Sequence, residues 1–184
     1  MIHIRPTAFS GCLELVPEIK PDARGKFFKT FHSEFFSAHS LETNFLEEYF
    51  SWSVAGVIRG MHFQTPPHQH SKIVSCLVGS VLDVVVDLRQ GSPTFKQTAQ
   101  FPLSAEKANM LYIPEGFAHG FAVLEGEALM HYKVSSVYAP SCDAGIRWDS
   151  LGVDWGIQNP IMSERDKNFE SLVNYRTLFQ DAKL

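Results

Sequence analysis

The sequence is poor in cysteine: Cys12, Cys76 and Cys142 are an odd, widely spaced set without a CxxC pair. That spacing argues against both a disulfide framework and a structural zinc site. It has no basic excess either, since 16 Lys and Arg stand against 20 Asp and Glu for a formal charge of −4. No general electrostatic force therefore draws it to nucleic acid or to an anionic membrane, and any phosphate must be met by a local cluster. No run approaches the roughly 20 apolar residues of a membrane helix. The first residues, MIHIRPTAFSGCLELVPEIK, lack a basic segment followed by a long apolar run and a small-residue cleavage site. A soluble cytoplasmic protein is expected. Helical pattern is scarce, confined to SEFFSAHS (Ser33 to Ser40) and the stretch from Ser163 to about Val173, with Ser33 and Ser163 as N-cap candidates.

What is present is strand. With 184 residues and 45% hydrophobic content the chain suits one substantial core, so one domain over residues 1–184 is expected. From Lys72 to Arg89, KIVSCLVGSVLDVVVDLR is rich in β-branched residues and broken at Gly79 and Ser80, which predicts a hairpin. The turn QGSPT precedes KQTAQFPLS, and MLYI stops at Pro114. A second hairpin is predicted in FAVLEGEALMHYKVSSVY, divided by Glu125, Gly126 and Glu127. Many short strands at this spacing predict an all-β jelly-roll barrel with a few short peripheral helices.

The segment RGMHFQTPPHQHSK (Arg59 to Lys72) gathers one Arg, three His and one Lys just before the strongest strand. His68 and His70 follow Pro66 and Pro67 and read as residues of an exposed turn. His62 and Lys72 each adjoin apolar residues where a barrel strand alternates its faces, so their side chains are expected to point inward. PEGFAHGF (Pro114 to Phe121) delivers His119 to a strand start and resembles the second motif of the cupin superfamily. A metal site on His68, His70 and His119 is one reading. Against it, no Glu or Asp follows before Gly79, and the ammonium of Lys72 repels a divalent cation.

Without a metal or other cofactor, these residue types suit enolisation. A neutral imidazole removes a proton beside a carbonyl, and a cation holds the enolate oxygen. Reprotonation on the other face inverts the carbon and needs a separate acid, for which Tyr132 in LMHYKV is the candidate; a core tyrosine is the plainer reading. Asp166 in MSERD is the candidate to fix the tautomer of the base, or else an ordinary charge at a helix start.

At these residues the chain resembles the dTDP-4-dehydrorhamnose 3,5-epimerase family, from about residue 5 to residue 170. DARGKFF, GVIRGMHFQTPP, VVVDLRQGSPTF, IPEGFAHGFAVL and MSERD carry the resemblance. It implies a cupin fold and epimerisation at C3, C5 or both of a 4-keto-6-deoxy nucleotide-diphosphate sugar. His62 would be the base paired with Asp166, Lys72 would stabilise the enolate, and Tyr132 would be the acid. Arg24, Arg59 and His119 would hold substrate and diphosphate. Phe27 would line the sugar pocket, Tyr138 would stack on the pyrimidine, and Asp143 and Arg165 would contact substrate. The family is homodimeric, which implies an N-terminal strand, roughly Ile4 to Leu15, exchanged between sheets.

The chain departs from the family at Lys29, where a glutamate is usual, and at Glu47 and Tyr49, in place of a Gln-x-Asn pair; these positions are linked there to nucleotide contacts. Such swaps change hydrogen-bonding character, so the same chemistry on another base, or the same base recognised differently, is expected. His70 stands where glutamine is common. Two rival readings remain: a metal-dependent cupin oxygenase or isomerase, and a non-catalytic sugar-binding cupin. Trp148 and Trp155 read as packing residues.

Overall fold

The computed structural model describes residues 1–181. Its strands are β1 (Ile2–Pro6), β2 (Leu13–Pro17), β3 (Lys20–Asp22), β4 (Gly25–Phe27), β5 (Glu47–Val54), β6 (Ile58–Gln64), β7 (Lys72–Val78), β8 (Ser80–Asp87), β9 (Thr98–Ser104), β10 (Met110–Ile113), β11 (Phe117–Ala122), β12 (Glu127–Val134) and β13 (Asp143–Gly145). Two short helices, α1 (Ser33–Ala38) and α2 (Glu164–Lys167), and a 3-10 turn at Trp148–Ser150 complete the set among the described residues. The sheet orders are β1-β2-β10-β7-β12-β5 and β13-β6-β11-β8-β9, with β3 and β4 forming a separate two-stranded arm. This is the expected all-β jelly roll with short peripheral helices.

Alternation explains the layering. Val74, Cys76, Val81, Val85, Leu111, Phe121, Met130 and Tyr132 project between the two main sheets and form the barrel interior. The opposite face of β6, β8 and β11 is apolar too, and Ile58, Met61, Val84 and Val86 are covered by Ile146, Leu151, Trp155 and Phe179 of the C-terminal segment. VLDVVVD therefore reads as nearly continuous apolar sequence because its strand is buried on both sides. A third layer places Phe36 of α1 and Leu41 against Leu15, Ile73 and Met110. Trp155 is buried and its indole N–H donates to the Trp148 carbonyl at 3.2 Å, the packing role expected of the pair.

Both predicted hairpins are crossings between sheets instead. β7 pairs with β10 and β12, whereas β8 pairs with β11 and β9; likewise β11 and β12 lie in different sheets. A tight glycine turn serves either geometry, and the partner is settled by burial on both sides. The segment Ile4 to Leu15 is two strands around a turn, with β1 paired to β2 and β2 to β10 of the same chain, not one strand. Helix α1 is capped at His32, not Ser33, with no side-chain cap bond. The Ser163 cap is as expected, its hydroxyl accepting from Asp166 N–H at 3.1 Å. That helix stops at Lys167 rather than near Val173, because Phe169 packs into the space left by Gly145, where any Cβ would strike its ring. Glu170 then bridges beside Ile146, and its carbonyl accepts from Arg147 N–H at 2.9 Å.

Gly79 makes the first crossing with φ +73°, and an added Cβ would collide with the Glu127 backbone carbonyl. Gly79→Ala is expected to lower unfolding free energy by on the order of 1–3 kcal/mol. A urea midpoint that falls at unchanged m-value is the expected measurement.

Candidate active site

Five strands and one helical turn supply the site. His62 on β6, Lys72 on β7, His119 on β11, Tyr132 on β12 and Tyr49 and Ser51 on β5 line one cavity of about 180 Å³, with Arg59 and Phe121. A larger chamber of about 300 Å³ opens beside it, walled by Glu47, Gln64, His70, Tyr138, Asp143 and Arg165, and it shares Tyr49, His62 and Lys72 with the first.

His62 meets the polypeptide 104 residues later, its Nε2 lying 2.9 Å from Asp166 Oδ1. The other carboxylate oxygen accepts from Gly60 N–H at 3.1 Å. Burial raises the Asp166 carboxyl, but the His62 hydrogen bond and charge, the Gly60 amide and the Ser163 hydroxyl together hold it well below the usual carboxylate range. A lasting carboxylate fixes Nε2 as the protonated ring nitrogen and leaves the Nδ1 lone pair free. Arg165 lies 2.8 Å from the same Nε2. A guanidinium only donates, so it cannot share that nitrogen with a donating N–H, and its bonds go to the Asp166 and Asp143 carboxylates.

Lys72 is buried, and its ammonium donates to the His62 carbonyl oxygen at 3.4 Å. Burial draws it down to about 8, against the opposing charges of Asp83 and Asp143. Tyr132 is buried as well; desolvation pushes its hydroxyl above the ordinary phenol range, with Ser51 Oγ 3.4 Å away opposing the shift. It stays protonated at working pH, so the hydroxyl carries a proton into the cavity.

Several expected contacts lie elsewhere. His119 is buried in the wall of the smaller cavity, and its Nε2 meets Asp83 Oδ2 at 2.7 Å. Burial lowers the imidazole and raises the carboxyl, each opposed by its partner. His119 therefore lines the cavity as an imidazole already paired with a buried carboxylate. Arg24 pairs with Asp22 on an exposed turn, and Phe27 and Lys29 are exposed at or just beyond the end of the same arm. None of the three lines either cavity. Arg59 lines the smaller cavity, held by Ser53 Oγ at 2.9 Å. Glu47 accepts the Tyr138 backbone N–H at 2.6 Å, and the exposed Tyr138 ring reaches Asp143 through its hydroxyl at 3.2 Å.

His68 is exposed, as the turn reading had it, but His70 is drawn inward beside Gln64 and Ser136, and burial with Lys72 lowers it to about 3. With His68 in solvent and His119 bound to Asp83, the metal triad does not assemble. Among the described residues no three His, Cys, Asp or Glu side chains gather as a metal-ligand set.

Asp83 and Gln64 join the site without being among the residues expected from the sequence. Asp83 shares the inward face of β8 with Val81 and Val85, and a carboxylate there requires a buried partner, a signal readable in VLDVVVD. Gln64 donates to the His68 carbonyl at 2.9 Å and accepts from Ala139 N–H at 2.6 Å, pinning the loops that frame the larger chamber.

A base with a fixed carboxylate, a buried cation and a protonated phenol around one cavity is the equipment of an enolising isomerase. The family model for dTDP-4-dehydrorhamnose 3,5-epimerase matches residues 6–174. The chain belongs to the dTDP-4-dehydrorhamnose 3,5-epimerase family. A dTDP-4-dehydrorhamnose 3,5-epimerase of Shigella flexneri is 39% identical over 176 residues, covering 94% of this chain and 97% of its own. A dTDP-4-dehydrorhamnose 3-epimerase of Streptomyces niveus is 35% identical over 170 residues, covering 91% and 82%. Among solved structures, the Legionella pneumophila 3,5-epimerase in complex with dTDP-4-keto-L-rhamnose superposes with TM-score 0.90 at 34% identity, covering 96% of this chain and 95% of that one. The cupin fold is thus shared across the family.

Between about pH 8 and its ordinary 10.5, Lys72 binds fewer protons folded than unfolded. Its contribution therefore disfavours folding fully below about pH 8 and is relieved as pH rises through that window. Relative to Lys72→Met, wild type should gain on the order of 1–3 kcal/mol of stability between about pH 7 and about pH 10. Urea unfolding of both proteins at the two pH values is the check.

Proposed function

We propose that this chain is a cofactor-independent epimerase of the isomerase class that inverts C3, C5 or both of a dTDP-linked 4-keto-6-deoxy sugar in deoxysugar biosynthesis. The observation that carries the reading is the His62–Asp166 pair opening on the same cavity as Lys72 and Tyr132. Nδ1 of His62 takes the proton from a carbon beside the C4 ketone. The C–H electron pair passes into the enolate, whose oxygen is met by the Lys72 ammonium. Tyr132 gives its hydroxyl proton to the opposite face of that carbon, and solvent restores the phenol and removes the proton from His62. Asp166 holds the tautomer and balances the imidazolium formed in between.

The larger chamber would take the nucleotide, with the exposed Tyr138 ring as a stacking surface and Arg59 and Arg165 near the phosphates. Support for the dTDP form comes from the relatives, and Glu47 and Tyr49 line the chamber that would take it. The protein is proposed to be a single-domain homodimer. The β3–β4 arm, exposed throughout and carrying Arg24 and Phe27, has a place in such an assembly that it lacks on its own chain. A cytoplasmic location fits a nucleotide-sugar substrate and three cysteines that are all free.

His62→Ala is expected to abolish solvent deuterium exchange at every epimerisable carbon, a loss on the order of a hundred- to ten-thousandfold. Tyr132→Phe should retain exchange while impairing inversion. NMR and mass detection of a dTDP-4-keto-6-deoxy sugar in deuterated water reads both, and wild-type exchange in His62→Ala would contradict the assignment. Absence of exchange with dTDP-, CDP-, UDP- and GDP-linked substrates would favour a binding protein.

A further inference from the structure

Resting on that reading, the structure raises a question about Tyr132 itself: what keeps a side chain that can turn about two bonds aimed at the sugar. Tyr132 on β12 is the direct cross-strand partner of Tyr49 on β5. The two rings stack with centroids 4.7 Å apart and planes 15° from parallel. From another side the His119 ring meets Tyr132 at 6.1 Å and 73°, and Ser51 Oγ lies 3.4 Å from its hydroxyl. Tyr132 is thus held by two rings and one hydroxyl. His119 is fixed by Asp83, whereas Tyr49 sits on the edge strand of its sheet, where among the described residues β12 alone pairs with it. Tyr49 also stands where the two cavities join and contributes to the wall of each.

We propose that Tyr49 is a positioning residue that holds the Tyr132 ring in the plane from which its hydroxyl faces the enolate, and so sets how often an enolate is inverted rather than returned. An enolate formed by His62 has two fates. His62 gives a solvent-exchanged proton back to the same face, which leaves deuterium without inversion, or Tyr132 protonates the opposite face, which inverts the carbon. Loosening Tyr132 weakens the second fate alone. Loss of folded protein lowers both together and leaves their ratio unchanged.

The test uses Tyr49→Ala, Tyr49→Leu and Tyr49→Phe as full chains, each checked by thermal melting, with a dTDP-4-keto-6-deoxy sugar in deuterated water. The readout is the ratio of inverted product to deuterated, non-inverted substrate at early conversion. Aromatic pairs of this kind correspond to an expected fall of about two- to tenfold in the Ala and Leu variants, with the ratio restored in Phe. In a Tyr132→Phe background, Tyr49→Ala should change the ratio no further, since the group it acts through is gone. An unchanged ratio in Ala and Leu overturns the inference, as does an equal fall in Phe, which would assign the effect to the hydroxyl. These results sink the inference alone when wild type exchanges deuterium. A wild type that exchanges none sinks the enolisation reading, and the role of Tyr49 with it.

Discussion

The contact between His62 Nε2 and Asp166 Oδ1 joins two segments 104 residues apart, and much of the C-terminal architecture serves to bring them together. The segment crosses the outer face of the five-stranded sheet, burying Ile146, Leu151 and Trp155 there, before Ser163 caps the short turn that presents Asp166. Phe169 then ends the turn by packing over Gly145 and edge-on to His62, 5.8 Å between ring centroids. One carboxylate at a fixed distance decides which imidazole nitrogen is free.

Around that pair the barrel tolerates a buried cation by surrounding it with countercharge. Asp83 and Asp143 both oppose the desolvation of Lys72, and Asp83 also engages His119. A buried ammonium is costly unless paired, and its retention is understandable where an oxyanion develops during reaction. The protonated phenol of Tyr132 completes a site whose proposed base and acid belong to different sheets, β6 and β12. Two facing sheets give a sugar ring two chemically distinct sides.

The strands were legible because β-branched runs and turn residues are local signals. Their partners were not: Gly79 looks the same in a hairpin and in a crossing between sheets, and only burial on both faces of β8 distinguishes them. His62, Lys72 and Tyr132 were readable as polar residues at inward positions, whereas pairing Asp166 with His62 needed the family resemblance. Asp83 is legible in principle, since a carboxylate between valines requires a buried partner, but which partner is set by the fold. His70 was misjudged because Gln64, which with Ser136 holds it inward, acts through tertiary contacts. Arg24, Phe27 and Lys29 were tied to the site by resemblance alone, and in the single chain they lie away from it.

The central claim is that inversion proceeds by removal of a carbon-bound proton to a solvent-exchanging base and its replacement from the other face. The deuterium content of the product formed by wild-type protein from unlabelled dTDP-4-keto-6-deoxy sugar in deuterated water tests it most directly. One deuterium at each inverted carbon is the predicted result. Inverted product that carries only its original hydrogen would contradict it.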